Sequence, residues 1–192
     1  TEGITNRPEG AYAEVTVDKD NKEVIKIYDK AKRLIEVREG NNVTKYSYYD
    51  NGNLKKVALP NEYTEEYTYN KDNTLQMLTN KNSSKVVVEK YIYVYDKAKN
   101  IISKEDKKGT TSYKYDSLNR LTKVTEPSGK TIEYTYDKEG NRYTETETVG
   151  TTKTKSIYSS DLRTVYIQIF TLFKFDKNLK KYNRKTTLFI VK

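Results

Sequence analysis

The side chains able to do chemistry in this sequence of 192 residues are carboxylates, amines, hydroxyls and phenols, because it contains no His and no Cys. That composition excludes Ser-His-Asp and Cys-His nucleophile systems, Cys/His zinc sites, the usual haem ligands and any disulfide framework. Three patterns remain. The carboxylate pairs Glu65-Glu66 and Glu145 with Glu147 have the residue types of general acid/base catalysis. In a sequence in which 33% of residues are charged they read as surface groups, so no catalytic residue is assigned and no enzyme is expected. Asp18-Lys19-Asp20-Asn21-Lys22-Glu23 has the acidic spacing of a calcium loop, but Lys22 occupies a ligand position and the turn Gly is missing. It reads as a solvated turn, and neither a metal nor a cofactor is expected. The third pattern is tyrosine at i and i+2, whose ring faces could stack on sugars; its recurrence along the chain points instead to a core role.

That recurrence sets the elements. The copies are Ile27-Tyr28-Asp29, Tyr46-Ser47-Tyr48-Tyr49 with Gly52, Tyr67-Thr68-Tyr69-Asn70, Tyr93-Val94-Tyr95-Asp96, Tyr113-Lys114-Tyr115-Asp116 with Leu121, and Tyr134-Thr135-Tyr136-Asp137 with Gly140. The second Tyr falls at 28, 48, 69, 95, 115 and 136, in steps of 20, 21, 26, 20 and 21, which is a repeat architecture. Residues i and i+2 of a strand share a face, so each Tyr pair lies on one side of a strand. The Asp that follows suits the first position of a turn, where its carboxylate accepts from backbone N–H groups two residues on. Three residues later come Lys32, Gly52, Asn73, Lys99, Asn119 and Gly140. Four of these six are Gly or Asn, which tolerate the positive φ of a hairpin turn closing with a bulge. A second strand then runs through Leu121 and Val124 or their equivalents. That odd step of three means either a bulge or two side chains on opposite faces.

A second series of turn signals lies midway between the Tyr motifs: Gly40-Asn41-Asn42, Pro60-Asn61, Asn82-Ser83-Ser84, Lys108-Gly109, Pro127-Ser128-Gly129 and Val149-Gly150. Turns about every ten residues are hairpin spacing in an all-β protein. Each unit is strand, turn, strand, turn, and stacked hairpins bury together what one hairpin leaves open. Leu, Ile, Val and Phe make up 41 of 192 residues, so the 19 Tyr must supply much of the core. The expected fold is an all-β, repetitive antiparallel hairpin ribbon.

The net charge of +9 is uneven. Residues 157–192 carry eight Lys+Arg against two Asp+Glu and all four Phe; before them the charges interleave, with 28 Lys+Arg against 25 Asp+Glu. The expected divisions are an N-terminal partial repeat at 1–25, a repeat region at 26–156 and a basic, Phe-rich tail at 157–192. Interleaved charge argues against nucleic acid as a partner of the repeat region. No run of about 18 apolar residues exists to span a membrane. The start at Thr1, with no initiator Met and no leader, reads as a fragment or a mature form.

Tyr113-Lys114-Tyr115-Asp116-Ser117-Leu118-Asn119-Arg120-Leu121, continued by Glu126-Pro127-Ser128-Gly129-Lys130 and Tyr134 to Arg142, resembles the YD repeats of the rearrangement-hotspot (RHS) family. The resemblance covers residues 26 to about 145. It implies a curved or coiled open sheet, part of an RHS-type shell in a bacterial protein that is secreted or exposed at the cell surface. In such toxins the shell encloses a toxin domain, so the implied partners are the remainder of a larger RHS protein or its toxin domain. Surface proteins with similar repeats imply the alternative, an adhesion module that binds cell-surface glycan or neighbouring cells through exposed Tyr and Thr. The Asp-Pro and Gly core motif beside which the family cuts itself is missing between Gly140 and Lys192, so self-cleavage is not implied. The tail reads as capping strands, a toxin start or membrane-active basic segment, or an arbitrary ending. Within it Phe173-Lys174-Phe175-Asp176 is a candidate decayed repeat.

Overall fold

The computed structural model describes residues 7–158 in full and residues 165–172 and 184–191 as strand backbone. The chain divides into two compact units, Thr1–Ile92 and Tyr93–Lys192. In the first, β1 (Tyr12–Val17), β2 (Glu23–Tyr28), β3 (Leu34–Glu39), β4 (Asn42–Tyr48), β5 (Leu54–Ala58), β6 (Thr64–Tyr69), β7 (Leu75–Lys81) and β8 (Val87–Tyr95, which continues past Ile92) follow one another. Each pairs antiparallel with the next. In the second unit the same meander runs through β9 (Ile101–Asp106), β10 (Gly109–Tyr115), β11 (Leu121–Thr125), β12 (Thr131–Tyr136), β13 (Arg142–Val149) and β14 (Thr152–Tyr158). From the tail, β15 (Val165–Leu172) pairs with β14 and with β16 (Arg184–Val191). The fold is an all-β repetitive antiparallel ribbon, and neither meander closes on itself. The Phe173 to Asp176 motif lies outside the described residues.

Two turn types join the strands within residues 7–158. Three are tight, closing the pairs Glu39 and Asn42, Asp106 and Gly109, and Val149 and Thr152. The others are five residues long: the first residue's N–H donates to the carbonyl of the fifth, and the fourth residue's N–H donates to the carbonyl of the first, as in Asp29 to Arg33 and Asp116 to Arg120. The fourth residue takes positive φ. All six residues that the repeat alignment puts there do so: Lys32, Gly52, Asn73, Lys99, Asn119 and Gly140. The supposed calcium loop is another turn of this type, with Asn21 at φ 58° and the Asp18 carboxylate accepting from the N–H of Asp20 and Lys22.

The turns that follow Tyr28, Tyr48, Tyr69, Tyr115 and Tyr136 each bring a register shift. Tyr115 faces Leu121 and Lys114 faces Lys123, leaving Thr122 as the extra residue of a bulge, and Tyr113 then faces Val124. The odd step of three is therefore a bulge, and Leu121 and Val124 stand on the same face as both tyrosines. Tyr46 and Tyr48 against Val57 and Leu54, and Tyr67 and Tyr69 against Leu78 and Leu75, repeat the arrangement.

Following the register across the strands sorts the charges that interleave in sequence. On the tyrosine face of the first unit stand Glu14, Glu39, Glu65 and Glu89 against Lys26. On the opposite face stand Arg38, Lys45, Lys56, Lys81 and Lys90 against Glu23, Glu36 and Glu66. The second unit repeats this, with Lys114, Lys123, Lys153 and Lys155 against Glu105 and Glu133 on the face away from the tyrosines. One sheet layer buries little completely. Ile27 is 1% exposed, Ala11 and Val57 are buried, and the paired tyrosines are half-buried.

At Gly52, φ is +87° and a Cβ would meet nothing within 4 Å. Replacing Gly52 with Ala is expected to cost about 1–2 kcal/mol purely through backbone conformation, read as a lowered urea midpoint at unchanged slope.

Candidate functional site

The conspicuous constellation is the Tyr-Asp turn with the tyrosine that follows it one repeat later. In the Asp29 turn, Oδ1 accepts from the N–H of Ala31 and Arg33, both at 2.9 Å, while Oδ2 takes Arg33 Nε at 2.8 Å. In the Asp116 turn, Oδ1 accepts from Leu118 and Arg120 at 2.9 Å and Oδ2 takes Arg120 Nε at 2.8 Å. At Asp96 and Asp137 the same roles fall to Asn100 and Asn141, whose backbone N–H and side-chain amide both reach the carboxylate. The motif departs at two copies. Tyr49 fills the first position of its turn and sends its hydroxyl to the Tyr67 carbonyl at 2.9 Å. Asn70 fills the next, and its amide donates to Thr74 Oγ1.

These hydrogen bonds favour the ionised carboxylate. The Arg33 N–H and the Arg120 N–H hold Asp29 and Asp116 below the usual carboxylate range, outweighing the opposing effect of burial. For Asp96 the Asn100 side-chain amide is the leading cause of the same downward shift.

The second tyrosine of a pair ties its repeat to the one before. The Tyr48 hydroxyl donates to the Leu34 carbonyl at 2.6 Å, Tyr115 to Ile101 at 2.9 Å and Tyr136 to Leu121 at 2.7 Å. Each accepting residue is the first of the strand that follows the preceding turn. The clamped arginines lie on the same rings, Arg33 4.9 Å from the Tyr48 centroid and Arg120 4.5 Å from that of Tyr136. Two asparagines at the fifth turn position bridge turn to turn: Asn53 Nδ2 donates to Asn73 Oδ1 at 2.9 Å, and Asn100 Nδ2 to Asn119 Oδ1 at 2.8 Å. Burial pushes the phenols of Tyr48, Tyr115 and Tyr134 upward, so they stay protonated donors at neutral pH.

The remaining motif residues fall into the same scheme. Tyr28 stacks on Tyr12 at 4.9 Å and donates to Glu14 Oε2, 14 residues back, where later repeats use a carbonyl. Tyr67 donates to Glu65 Oε2 at 2.6 Å and Tyr69 packs edge-on against Tyr49. Tyr46, Tyr93, Tyr95 and Tyr113 are half-buried in their strands. Tyr134 carries Arg142 at 4.3 Å from its centroid. The sheet separates Glu65 from Glu66: Glu66 binds Lys56 and Lys81 on one face while Glu65 serves Tyr67 on the other. Glu145 binds Arg142 and Tyr158, and Glu147 binds Lys130. Among the described residues no cluster of three metal-ligating side chains occurs. Sequence reading placed Arg or Asn at the fifth turn position but gave it no role. Its signal was present, as Arg33, Asn53, Asn100, Arg120 and Asn141 recur at that offset.

The RHS repeat family model matches residues 95–131 and 115–152. Residues 95–152 carry RHS repeats. Two overlapping copies are matched, spanning the Asp96, Asp116 and Asp137 turns. No curated protein matches in sequence. Among solved structures, the TcdB2-TccC3-Cdc42 crystal structure superposes with a TM-score of 0.65 at 16% identity, covering 91% of this chain and 12% of that one. The TcdB2-TccC3 crystal structure gives 0.62 at 13% identity, covering 94% and 14%. The Tc holotoxin pore of Photorhabdus luminescens gives 0.61 at 16% identity, covering 91% and 12%. At these identities the likeness is one of fold: the RHS-repeat ribbon here superposes on a short stretch of much longer chains.

Two outcomes follow from the clamp and the tether. Tyr48→Phe keeps the ring under Arg33 but removes the hydroxyl's hydrogen bond to the Leu34 carbonyl, and is expected to cost about 1 kcal/mol in urea unfolding. The depressed Asp29, Asp96 and Asp116 give stability that is complete above the unfolded carboxylate value and lost as pH falls through their folded values. The urea midpoint is therefore expected to drop as pH is lowered below about 4, and Asp116→Asn is expected to shrink that drop.

Proposed function

We propose that this chain is a non-catalytic structural segment of the shell of a larger, secreted RHS protein, and that the shell encloses a toxin domain used in competition between cells. The observation that carries the reading is the bond from the second tyrosine's hydroxyl to a backbone carbonyl of the preceding repeat at Tyr48, Tyr115 and Tyr136. A tyrosine row that binds ligand keeps its hydroxyls and ring faces open. Here the hydroxyls join repeat to repeat and the faces carry Arg33 and Arg120. Such a ribbon gains stability from neighbour-to-neighbour contacts and can lengthen by adding units, as a wall requires. Lying along 12% to 14% of the superposed chains, it fits one stretch of such a wall. The partners in this reading are the adjoining repeats and the enclosed domain.

The test is made on the native polypeptide, captured from producing cells with an antibody raised against residues 7–158. Limited proteolysis followed by intact-mass mapping is expected to yield a repeat-free fragment that resists protease until denaturant opens the protein. A polypeptide with no such protected fragment would sink the proposal.

A further inference from the structure

The face opposite the tyrosines in the first unit is basic, and every carboxylate in its ion pairs is already shared. Glu36 pairs with both Arg38 and Lys45, and Glu66 with both Lys56 at 3.6 Å and Lys81 at 2.5 Å. Lysines on this face therefore keep charge that the sheet does not neutralise. On it opens a concavity of about 340 Å³ lined by Lys45, Lys56 and Lys85, with Glu62 the one carboxylate, and with Asn41 and Thr64 on the wall. Thr64, 3% exposed, has an Oγ1 without a hydrogen-bond partner, as does Thr68 on the same face.

We propose that this face docks an acidic polysaccharide, with a carboxylate or sulfate of the polymer seated between Lys45, Lys56 and Lys85. Three ammonium groups around one hollow match a repeating anion by charge. The exposed hydroxyl of Ser47 on a neighbouring position suits a sugar hydroxyl. Nucleic acid is disfavoured because no paired strand position of this face in the first unit is aromatic, so no base-stacking platform exists. The tyrosine face sets four glutamates against Lys26, with Arg33 and Lys55 lying over its rings, and so carries no excess of positive charge for the same polymer. This inference does not depend on the toxin reading, since it concerns the other side of the sheet.

The experiment uses the full chain over immobilised heparin and polygalacturonate, with polyglutamate and duplex DNA as comparators. Two triple variants of equal net charge are compared: Lys45→Gln, Lys56→Gln, Lys85→Gln on the face, and Lys19→Gln, Lys71→Gln, Lys97→Gln on exposed turns. The wild type is expected to bind one or both polysaccharides more tightly than the comparators, with affinity falling as salt rises. The face triple is expected to lose roughly tenfold or more in affinity while the turn triple stays within about twofold and both keep the wild-type circular dichroism. Absence of polysaccharide binding, equal losses in the two triples, or preference for polyglutamate or DNA would each overturn the proposal. If the face triple is unfolded, Lys85→Glu alone, on an exposed turn, serves in its place, with the same expected loss and the same overturning result.

Discussion

A carboxylate that accepts two backbone N–H groups of its own turn is the constraint on which this structure rests. By holding Ala31 and Arg33, or Leu118 and Arg120, the Asp fixes a five-residue reversal whose fourth residue must take positive φ. After the Tyr motifs the returning strand also takes one extra residue, and that residue realigns the apolar side chains. Without the bulge at Thr122, Leu121 and Val124 would point to opposite sides and Tyr113 and Tyr115 would have no facing hydrophobes. The second carboxylate oxygen then captures the arginine or asparagine that reaches the next repeat. One acidic residue thus holds both its own turn and the contact between repeats.

Much of this was legible from spacing. Tyrosines two apart, an Asp after them and Gly or Asn three further on are local signals, and their roles are local too. Lys32 and Lys99 show how strong the turn is, because both hold positive φ without the help of a Gly or Asn side chain. What stayed hidden depends on partners 14 or 15 residues away. That Arg33 lies on Tyr48, or that the Tyr136 hydroxyl finds the Leu121 carbonyl, follows only once strand pairing is known. The distribution of charge was hidden for a sharper reason. Each bulge shifts the alternation of in and out by one, so Lys and Glu that look randomly interleaved along the chain fall on separate faces once the shifts are counted.

The sheet is consequently two different surfaces a single layer apart. One is phenolic, aliphatic and acidic, and its polar atoms are engaged in joining repeats. The other is hydroxylic and basic, with Thr135 and Thr144 bonded to each other across strands and Lys123 bonded to Glu133. The absence of a conventional core is the counterpart. With Ile27 the one large side chain below 2% exposure among the described residues, cohesion comes from half-buried rings, ladders of backbone hydrogen bonds and side chains tied to neighbouring turns.

Each strand in both meanders pairs with the strands before and after it in sequence. No registered partner has to wait for a distant part of the chain. Topologies of this kind have low contact order and fold quickly for their size. A ribbon so connected can order itself from one end as it leaves a ribosome, each hairpin docking on the one already formed. Its exposed growing edge at any instant is one strand wide, which limits the chance for two emerging chains to pair with each other.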